Sequence, residues 1–328
     1  MTKYFLRIYR QQANQTKDMI YGNTVIALHG GLDTSRSEKH LSVMQKAVLE
    51  GCRLISAGRL RALEAVLNIL EDTPLFNCGY GSVLNTDGEA EMDAAMVDGE
   101  SGRFAAVAAL KLVRRPVSVA RLLLEKTPHV LLAGEGALRF ALRNGFPLEN
   151  CISPEQLTAW QRARQNLFDG STPSQNPFTG LLENGGDTVG CAVFDGRGLA
   201  AASSTGGCSS KLPGRVGDTP FLGGGIFASP QSAVVCTGVG EAFVETLTAR
   251  FVDEKIAAGL HPQEAVEAAL MRLWNLKRAQ GGILALDASG RVGAAFNAGR
   301  FPVVIAVNGK LISGFEPADL KGKFTLLN

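Results

Sequence analysis

The chain has 328 residues, of which 45% are hydrophobic and 20% charged, and its formal net charge is +2. This composition is typical of a globular protein with one large domain or two ordinary ones. Without a block of Lys or Arg, the near-neutral charge does not favour nucleic acid as a partner. The sequence contains no apolar run as long as a transmembrane helix and no signal-peptide core near its start, so we expect a cytoplasmic protein without a membrane partner.

Cysteine and histidine patterns also exclude some chemistries. The six cysteines show no C-x-x-C pairing, and the four histidines show no spacing typical of zinc ligands. We therefore expect reduced, mostly buried thiols and no required cofactor.

In the first half of the chain, short apolar strands and paired helices alternate. Helices are predicted where apolar residues recur at i, i+3 and i+4, and strands where the apolar runs are short. The predicted elements are a strand at 24–28, helices at Ser37–Leu49 and Arg59–Glu71, a glycine-rich loop at 77–82, strands at Glu91–Asp98 and Phe104–Leu112, and helices at Ser118–Lys126 and Leu131–Asn144.

Residues 166–187 are rich in Asn, Ser, Pro and Gly, and they predict a mobile linker. Strands and two helices follow this segment. The predicted elements are strands at Thr188–Phe194, Leu199–Ser204 and Ala233–Thr237, helices at Glu241–Ala258 and Pro262–Arg278, and strands at Gly282–Leu286, Val292–Phe296 and Val303–Val307.

This order favours two stacked sheets covered on both outer faces by helices. The strand that opens at Thr188 must pair with strands elsewhere, so the linker does not mark a boundary between independent domains. We predict one α+β domain over residues 1–328, made of two segments.

Gly186-Asp187-Thr188 is the most informative triplet of the sequence. A threonine at the start of a chain has an α-amine with a pKa of about 7.7–8.0, which can act as the base for its own hydroxyl. Breaking the Asp187–Thr188 bond would therefore create a nucleophile and its base in one residue. The alternative is that Thr188 is only the first residue of a strand.

Three downstream segments carry candidate partners for Thr188. Ser203–Gly207 can place the Thr205 hydroxyl nearby, or it is a plain strand-end turn. Arg215 and Asp218 can hold the carboxylate and ammonium of a small zwitterion, or they form a local ion pair on a solvated loop. The Cys236–Glu241 segment can bind an oxyanion through Thr237 and glycine amides, or it is a simple strand-to-helix turn.

In the first half, the loop Leu75–Ser82 can bring the amide of Asn77 to the same site. Its main-chain carbonyls can also hold a small cation, and the alternative is a turn that glycine permits. A dinucleotide-binding segment is a poor alternative at Gly238–Phe243, because the third glycine of the fingerprint is replaced by Phe243.

Taken together and in order, these motifs resemble the plant-type (class 3) L-asparaginase and isoaspartyl peptidase family of N-terminal-nucleophile (Ntn) hydrolases. The family is related to the glycosylasparaginases and threonine aspartases. The resemblance covers residues 24–300, and its most specific part is the segment from Ser204 to Asp218, with its unusual KLPGRVGD run. The matching segments are HGG, LFNCGYGSVLN, EMDAAMVDG, GDTVGCAVFDGRG, SSTGGCSSKLPGRVGDTP, CTGVGEAF and GGILALDASGRVGAAFN.

The resemblance implies a four-layer αββα sandwich and self-cleavage into residues 1–187, the α-subunit, and 188–328, the β-subunit. It implies that these fragments stay associated as a dimer of αβ units. It assigns a role to each site residue: Thr188 as nucleophile, Thr205 and Thr237 as assisting hydroxyls, Thr237 and Gly238 in the oxyanion hole, Arg215 and Gly240 on the substrate α-carboxylate, Asp218 and the Gly238 carbonyl on the α-ammonium, and Asn77 in support.

The resemblance also implies a structural sodium ion on main-chain carbonyls, taken as those of Leu70, Glu71, Thr73, Phe76, Cys78 and Tyr80. The expected activity is hydrolysis of β-aspartyl amides, both isoaspartyl dipeptides and L-asparagine. Asp187 is a departure from the glycine common at this position, and it matches the glycosylasparaginases. A glycosylasparaginase-like hydrolase therefore stays open as an alternative. A binding homologue that never cleaves is a further alternative.

Overall fold

The computed structural model describes residues 24–32, 37–168 and 187–314. Most of the predicted linker, residues 169–186, lies outside these ranges. The strands are β1 (Val25–His29), β2 (Met92–Asp98), β3 (Arg103–Leu110), β4 (Leu131–Ala133), β5 (Val189–Phe194), β6 (Leu199–Thr205), β7 (Ile226–Ala228), β8 (Ser232–Gly238), β9 (Gly281–Asp287), β10 (Val292–Phe296), β11 (Val303–Val307) and β12 (Lys310–Gly314).

Helices in the described ranges flank these strands. They are α1 (Glu38–Leu54), α2 (Arg59–Glu71), α3 (Pro116–Lys126), α4 (Gly134–Arg143), α5 (Pro154–Phe168), α6 (Gly240–Thr246), α7 (Thr248–Ala257) and α8 (Pro262–Lys277). Short 3₁₀ turns add Ile55–Ala57 and Gly79–Gly81.

Eight of the strands form one large sheet in the order β12-β11-β1-β5-β6-β2-β3-β4. Its pairings are antiparallel except for the parallel pair β3–β4. The central strands β5 and β6 are buried almost throughout, because both faces of the sheet are covered. Strands covered on both faces lose the alternation of polar and apolar residues, which explains the apolar runs in the sequence.

A smaller antiparallel sheet, in the order β10-β9-β8-β7, packs against the large one. Alternate residues of each strand point to opposite faces, so one strand contributes to two cores. Ala27 and Ala201 of the large sheet share a buried cluster with Val235 and Leu284 of the small sheet. This cluster is the core between the two sheets.

Helices cover the outer faces of the two sheets. Helices α1, α2 and α3 pack on the large sheet, where Leu28 and Ala202 meet Leu63 and Leu67 in one apolar cluster. Helices α7 and α8 pack on the small sheet around Ile283. The predicted mixture of helices and strands is confirmed, with two sheets and helices packed on each.

Several predicted elements match the structure to within one or two residues, among them α2, β10 and β11. The predicted helix at Leu131–Asn144 is wrong in its first turn. Residues Leu131–Ala133 instead form β4, which pairs in parallel with Ala106–Ala108 of β3. The free edge of β3 supplied a hydrogen-bonding partner that the local apolar spacing does not reveal.

The predicted helix at Glu241–Ala258 is also wrong, because it is two helices. Leu247 takes the left-handed conformation with φ of 48° and ends α6 there. The Arg272 guanidinium of α8 donates to the carbonyl of Thr246 at 2.6 Å. A side chain from another helix thus satisfies a carbonyl at the break.

Three elements were not predicted: α5, β7 and β12. Helix α5 runs to Phe168, so the first three residues of the predicted linker are helical. Many α5 side chains are exposed, which leaves little apolar periodicity to detect. Among the described residues no helix is both long and apolar enough to cross a bilayer. All six cysteines are free, and all but Cys52 are buried, as predicted.

Glu71 ends α2 and is fully buried beneath β6. Its Oε1 accepts hydrogen bonds from the Ser204 hydroxyl at 2.6 Å and from the Val117 amide at 3.1 Å. Its Oε2 has no hydrogen-bond partner among the described residues. Desolvation by burial raises the pKa of Glu71 to about 8, although Ser204 and Val117 oppose the shift. Burial therefore favours the protonated form of this carboxyl group.

We predict that Glu71→Gln makes the protein less sensitive to alkaline pH. A carboxyl whose pKa is higher in the folded than in the unfolded chain stabilises the fold at low pH, and this stability is lost as pH rises through about 8. The neutral amide avoids that loss. The melting temperature of the variant should match wild type at pH 5 and exceed it by roughly 2–4 °C at pH 9.

The control is Glu64→Gln on the same helix, which removes a partly exposed carboxylate paired with Arg121. It should not reproduce the alkaline gain. Equal dependence of the melting temperature on pH in wild type and Glu71→Gln would contradict the prediction.

Candidate active site

Thr188 lies directly before β5, where the ends of strands from both sheets meet. Its side chain is buried. Its main-chain N–H donates to the Thr237 hydroxyl at 3.0 Å, and Thr237 is near the end of β8 in the small sheet. This hydrogen bond joins the large sheet to the small one at the residue that the sequence singled out.

The Asp187–Thr188 peptide is held on both sides. The carbonyl oxygen of Asp187 accepts a hydrogen bond from the Thr205 hydroxyl at 3.3 Å. The Asp187 carboxylate accepts one from the amide of Leu32 at 2.8 Å. A hydroxyl that donates to the carbonyl polarises it, and the second contact fixes the orientation of the residue before Thr188.

Thr219 is a third hydroxyl at this position, and the sequence analysis missed it. It is buried, and its Oγ1 lies 3.5 Å from the Oγ1 of Thr188. Its only signal in the sequence was its place directly after Asp218. The hydroxyls of Thr205, Thr219 and Thr237 therefore surround the peptide before β5 and the side chain that follows it.

Asn77 acts on the turn that carries Thr205. Its side-chain amide donates to the carbonyl of Gly207 at 2.6 Å, and its main-chain carbonyl accepts from Gly206 at 2.9 Å. Its side-chain oxygen accepts from Val83 at 2.9 Å. These contacts tie the first-half loop to the end of β6, next to Thr205, and the supporting role of Asn77 in the site stays a prediction.

The turn from β8 into α6 requires glycine at Gly238. Its φ is +137°, and a Cβ there would lie 2.4 Å from the carbonyl oxygen of Gln280. Thr237 and Gly238 therefore sit on a rigid strand end beside Thr188. This placement allows the oxyanion role that the sequence analysis assigned to them, which stays a prediction.

Arg215 and Asp218 face each other across Gly240. A Cβ added to Gly240 would lie 2.9 Å from Asp218 Oδ1 and 3.1 Å from Arg215 Nη2. The ion pair that forms is with another residue. Arg215 donates through Nε and Nη2 to the carboxylate of Glu241 at 2.9 and 2.8 Å.

Asp218 is left in an unusual state for a carboxyl group. It is fully buried, and its Oδ2 has no hydrogen-bond partner among the described residues. Desolvation raises its pKa to about 7, against the opposing charge of Arg215. A buried acceptor with an unused oxygen is suited to bind a cationic group that enters from solution.

Buried charges hold the 211–218 loop that carries these two residues. The Lys211 ammonium donates to the carbonyl of Glu91 at 2.7 Å, and Glu91 Oε2 accepts from Gly214 at 2.8 Å. Asp93 Oδ2 accepts from the amide of Gly217 at 3.3 Å. Burial lowers the pKa of Lys211, although the nearby Asp93 charge opposes the shift. The loop is anchored to β2 by charge-assisted contacts.

Sequence similarity to known proteins shows the family of this chain. A family model described as asparaginase matches residues 19–311. The plant-type L-asparaginase of Pyrococcus abyssi is 39% identical over 282 residues, which is 83% of this chain and 92% of the relative. The chain belongs to the asparaginase family.

Relatives from other organisms are named for a second activity. The isoaspartyl peptidase/L-asparaginase of Bos taurus is 35% identical over 305 residues, covering 90% of this chain and 97% of the relative. The isoaspartyl peptidase of Salmonella typhimurium is 37% identical over 295 residues, covering 83% and 92%. The resemblance seen in the motifs is therefore confirmed for this asparaginase-family chain.

Many of the residues that the motifs predicted for the site lie close to one another in the structure. Asn77 contacts the end of β6, which carries Thr205, and Thr205 in turn contacts the carbonyl before Thr188. Arg215 and Asp218 lie on either side of Gly240. Beyond Thr219, sequence reasoning also missed the partner of Arg215. Glu241 lies 26 positions from Arg215, and only the fold brings the two together. Its signal in the sequence was a carboxylate in the first turn of a helix.

We predict that Asp218→Asn stabilises the free protein at alkaline pH. The pKa of Asp218 is higher in the folded chain, so the fold loses stability as pH rises from about 4 through about 7, where burial must accommodate a charge. The amide removes that charge. The melting temperature should rise by about 3 °C at pH 8.5 and little at pH 5.0.

Asp253→Asn is the matched control. Asp253 is also buried, but its Oδ1 accepts hydrogen bonds from the Ser229 and Ser232 hydroxyls at 2.5 and 2.9 Å. Its amide variant should be less stable than wild type. A loss of stability in Asp218→Asn at both pH values would count against the interpretation of Asp218.

Proposed function

We propose that this chain is a self-processing threonine hydrolase that cleaves β-aspartyl amide bonds, both isoaspartyl dipeptides and L-asparagine. The observation that carries the proposal is the set of hydroxyls around the Asp187–Thr188 peptide. The hydroxyls of Thr219 and Thr237 contact the buried Thr188, and the Thr205 hydroxyl donates to the carbonyl just before it. A guanidinium and a carboxyl lie across Gly240. The names of the relatives, L-asparaginase and isoaspartyl peptidase, support the substrate class.

Self-processing is the first step. The Thr188 hydroxyl attacks the carbonyl carbon of Asp187, and the peptide C–N bond breaks as the amine of Thr188 takes a proton. The hydrogen bond from Thr205 to the Asp187 carbonyl supports this step, because it stabilises negative charge on that oxygen. Water then hydrolyses the resulting ester. The products are residues 1–187 and a fragment that begins with Thr188.

Substrate hydrolysis reuses the freed residue. The α-amine of Thr188 takes the hydroxyl proton while Oγ1 attacks the side-chain carbonyl of the substrate. Thr237 and Gly238 hold the oxyanion, with Thr205 in support. Ammonia or an amino acid leaves with a proton, and water hydrolyses the aspartyl ester to release aspartate.

The two charged residues select the substrate class. Arg215 binds the α-carboxylate with its planar guanidinium, and Gly240 leaves the space for it. Asp218 and the carbonyl of Gly238 bind the α-ammonium. A substrate that lacks the ammonium leaves the buried Asp218 Oδ2 without a partner, and one that lacks the carboxylate forgoes the charge-assisted hydrogen bonds of Arg215, so each loses affinity in the transition state.

We also propose the larger assembly that the family implies. The stacked sheets and their helices are assigned to the four-layer αββα sandwich of the Ntn hydrolases. The α and β fragments share the large sheet, because β1 pairs with both β5 and β11 across the cleavage point. Both fragments therefore stay associated, and we expect a dimer of αβ units.

The loop after α2 suits the proposed structural sodium ion. Its ligands would be the carbonyls of Leu70, Glu71, Thr73, Phe76, Cys78 and Tyr80. The carbonyls of Leu70, Phe76 and Cys78 accept hydrogen bonds from the amides of Thr73, Cys78 and Gly81 within this loop. A set of neutral oxygens fits a hard cation of low charge. The ion would stiffen the loop that carries Asn77.

We predict that purified wild-type protein yields two fragments on a denaturing gel and that Thr188→Ala stays a single chain of 34.7 kDa. Alanine removes the only attacking oxygen of the proposed step, whereas Thr188→Ser keeps one and should still cleave. Intact-mass spectrometry should place the new terminus at Thr188.

The control is Thr248→Ala, which removes a buried hydroxyl at the start of α7, outside the site. It should cleave like wild type. Cleavage of Thr188→Ala would overturn the assignment of the nucleophile, and a wild type that stays intact after long incubation would support the non-cleaving homologue.

We further predict that the mature enzyme hydrolyses β-Asp-Leu and asparagine faster than N-acetylglucosaminyl-asparagine. Two analogues of β-Asp-Leu test the charges separately. Succinyl-leucine lacks the α-ammonium and β-alanyl-leucine lacks the α-carboxylate, and kcat/KM should fall by about 10³-fold for each. Preference for the glycosylated substrate would instead favour the glycosylasparaginase-like alternative.

A further inference from the structure

Glu241 holds Arg215 by one edge of its guanidinium. The two hydrogen bonds, from Nε and Nη2, are parallel and bidentate. The Arg215 side chain is 17% exposed and that of Glu241 is 42% exposed. An exposed ion pair contributes little to stability, but a bidentate pair also fixes the plane of the guanidinium.

The Nη1–Nη2 end of the guanidinium remains available. Nη1 of Arg215 makes no hydrogen bond to any described residue. A Cβ added to Gly217 would lie 2.8 Å from Nη1, and one added to Gly240 would lie 3.1 Å from Nη2. Two glycines thus leave the end of the guanidinium uncovered, on the side that faces Asp218.

We infer that Glu241 is a positioning residue that aims Arg215 at the α-carboxylate of the substrate. The inference rests on the proposed function. Glu241 takes the Nε–Nη2 edge, and the substrate takes the Nη1–Nη2 end. The alternative is that Glu241 occupies the carboxylate position itself and must leave before substrate binds. The geometry favours positioning, because the Glu241 carboxylate takes the Nε–Nη2 edge and leaves Nη1 without a hydrogen bond to any described residue.

Glu241 also acts on Asp218 through charge. The groups that face Asp218 are Arg215, which lowers its pKa, Glu241 and Asp93, which raise it, and the buried thiol of Cys236. Removing the Glu241 charge therefore lowers the pKa of Asp218. The ionised form of Asp218 binds the substrate ammonium, so the pH below which KM rises should move to lower pH.

The test compares Glu241→Gln and Glu241→Ala with wild type on β-Asp-Leu. We expect self-cleavage to be complete in both variants, kcat to stay within about twofold and KM to rise about tenfold in the alanine variant. The glutamine variant should lose less, because it keeps one acceptor oxygen. For β-alanyl-leucine, which has no α-carboxylate, kcat/KM should be the same in all three proteins at a pH where Asp218 is ionised in each. In both variants, the rise of KM at acid pH should begin at a lower pH than in wild type.

Glu245→Gln is the matched control. Glu245 lies one turn further along α6 and pairs with Lys277, away from the site. It should leave KM and its pH dependence unchanged. This separates positioning of Arg215 from a general loss of charge on the helix.

Other results would overturn the inference. A lower KM in Glu241→Ala would mean that Glu241 competes with substrate, and equal losses on both substrates would mean a structural role. Unchanged KM in an active enzyme rejects the positioning role and leaves the proposed function intact. A wild type inactive on β-Asp-Leu would reject the proposed function and this inference with it.

Discussion

The hydrogen bond from the Thr188 amide to the Thr237 hydroxyl is the contact on which the site depends. Thr188 precedes β5 in the centre of the large sheet, and Thr237 lies at the end of β8 in the small one. The contact forms only when the two sheets stack with these strand ends together. Packing of the inter-sheet core therefore sets the position of Thr188, and small changes in that packing will move the residues around it.

Burial of charge is the second constraint, and it works against stability. Asp218 and Glu71 have carboxyl pKa values raised by desolvation, and the pKa of Lys211 is lowered for the same reason. Such groups cost free energy in the folded chain. At Asp218 the cost fits the proposed function, in which the unpartnered Oδ2 receives the substrate ammonium. The charged side chain of Lys211 holds the 211–218 loop to the residue before β2, and this loop carries Arg215 and Asp218.

Much of the fold could be predicted from local patterns. Helix α2 and strands β10 and β11 were placed correctly, because their apolar spacing and end signals are strong. The errors occurred where a distant group decided the backbone. The edge of β3 drew residues 131–133 into a strand, and Arg272 bonded the carbonyl of Thr246 where the α6–α7 helix breaks. Neither partner is visible in a short window of sequence.

The same division holds for the site. By itself the sequence indicated the chemistry: a threonine after a segment rich in Asn, Ser, Pro and Gly, further hydroxyls at strand ends, and an arginine and an aspartate three residues apart. These are properties of residue type and local order. Only the tertiary structure decided which groups meet. It placed Thr219 beside Thr188, and it paired Arg215 with Glu241 rather than with Asp218. Contacts between residues distant in sequence depend on how sheets and helices stack, and that stacking is a property of the whole chain.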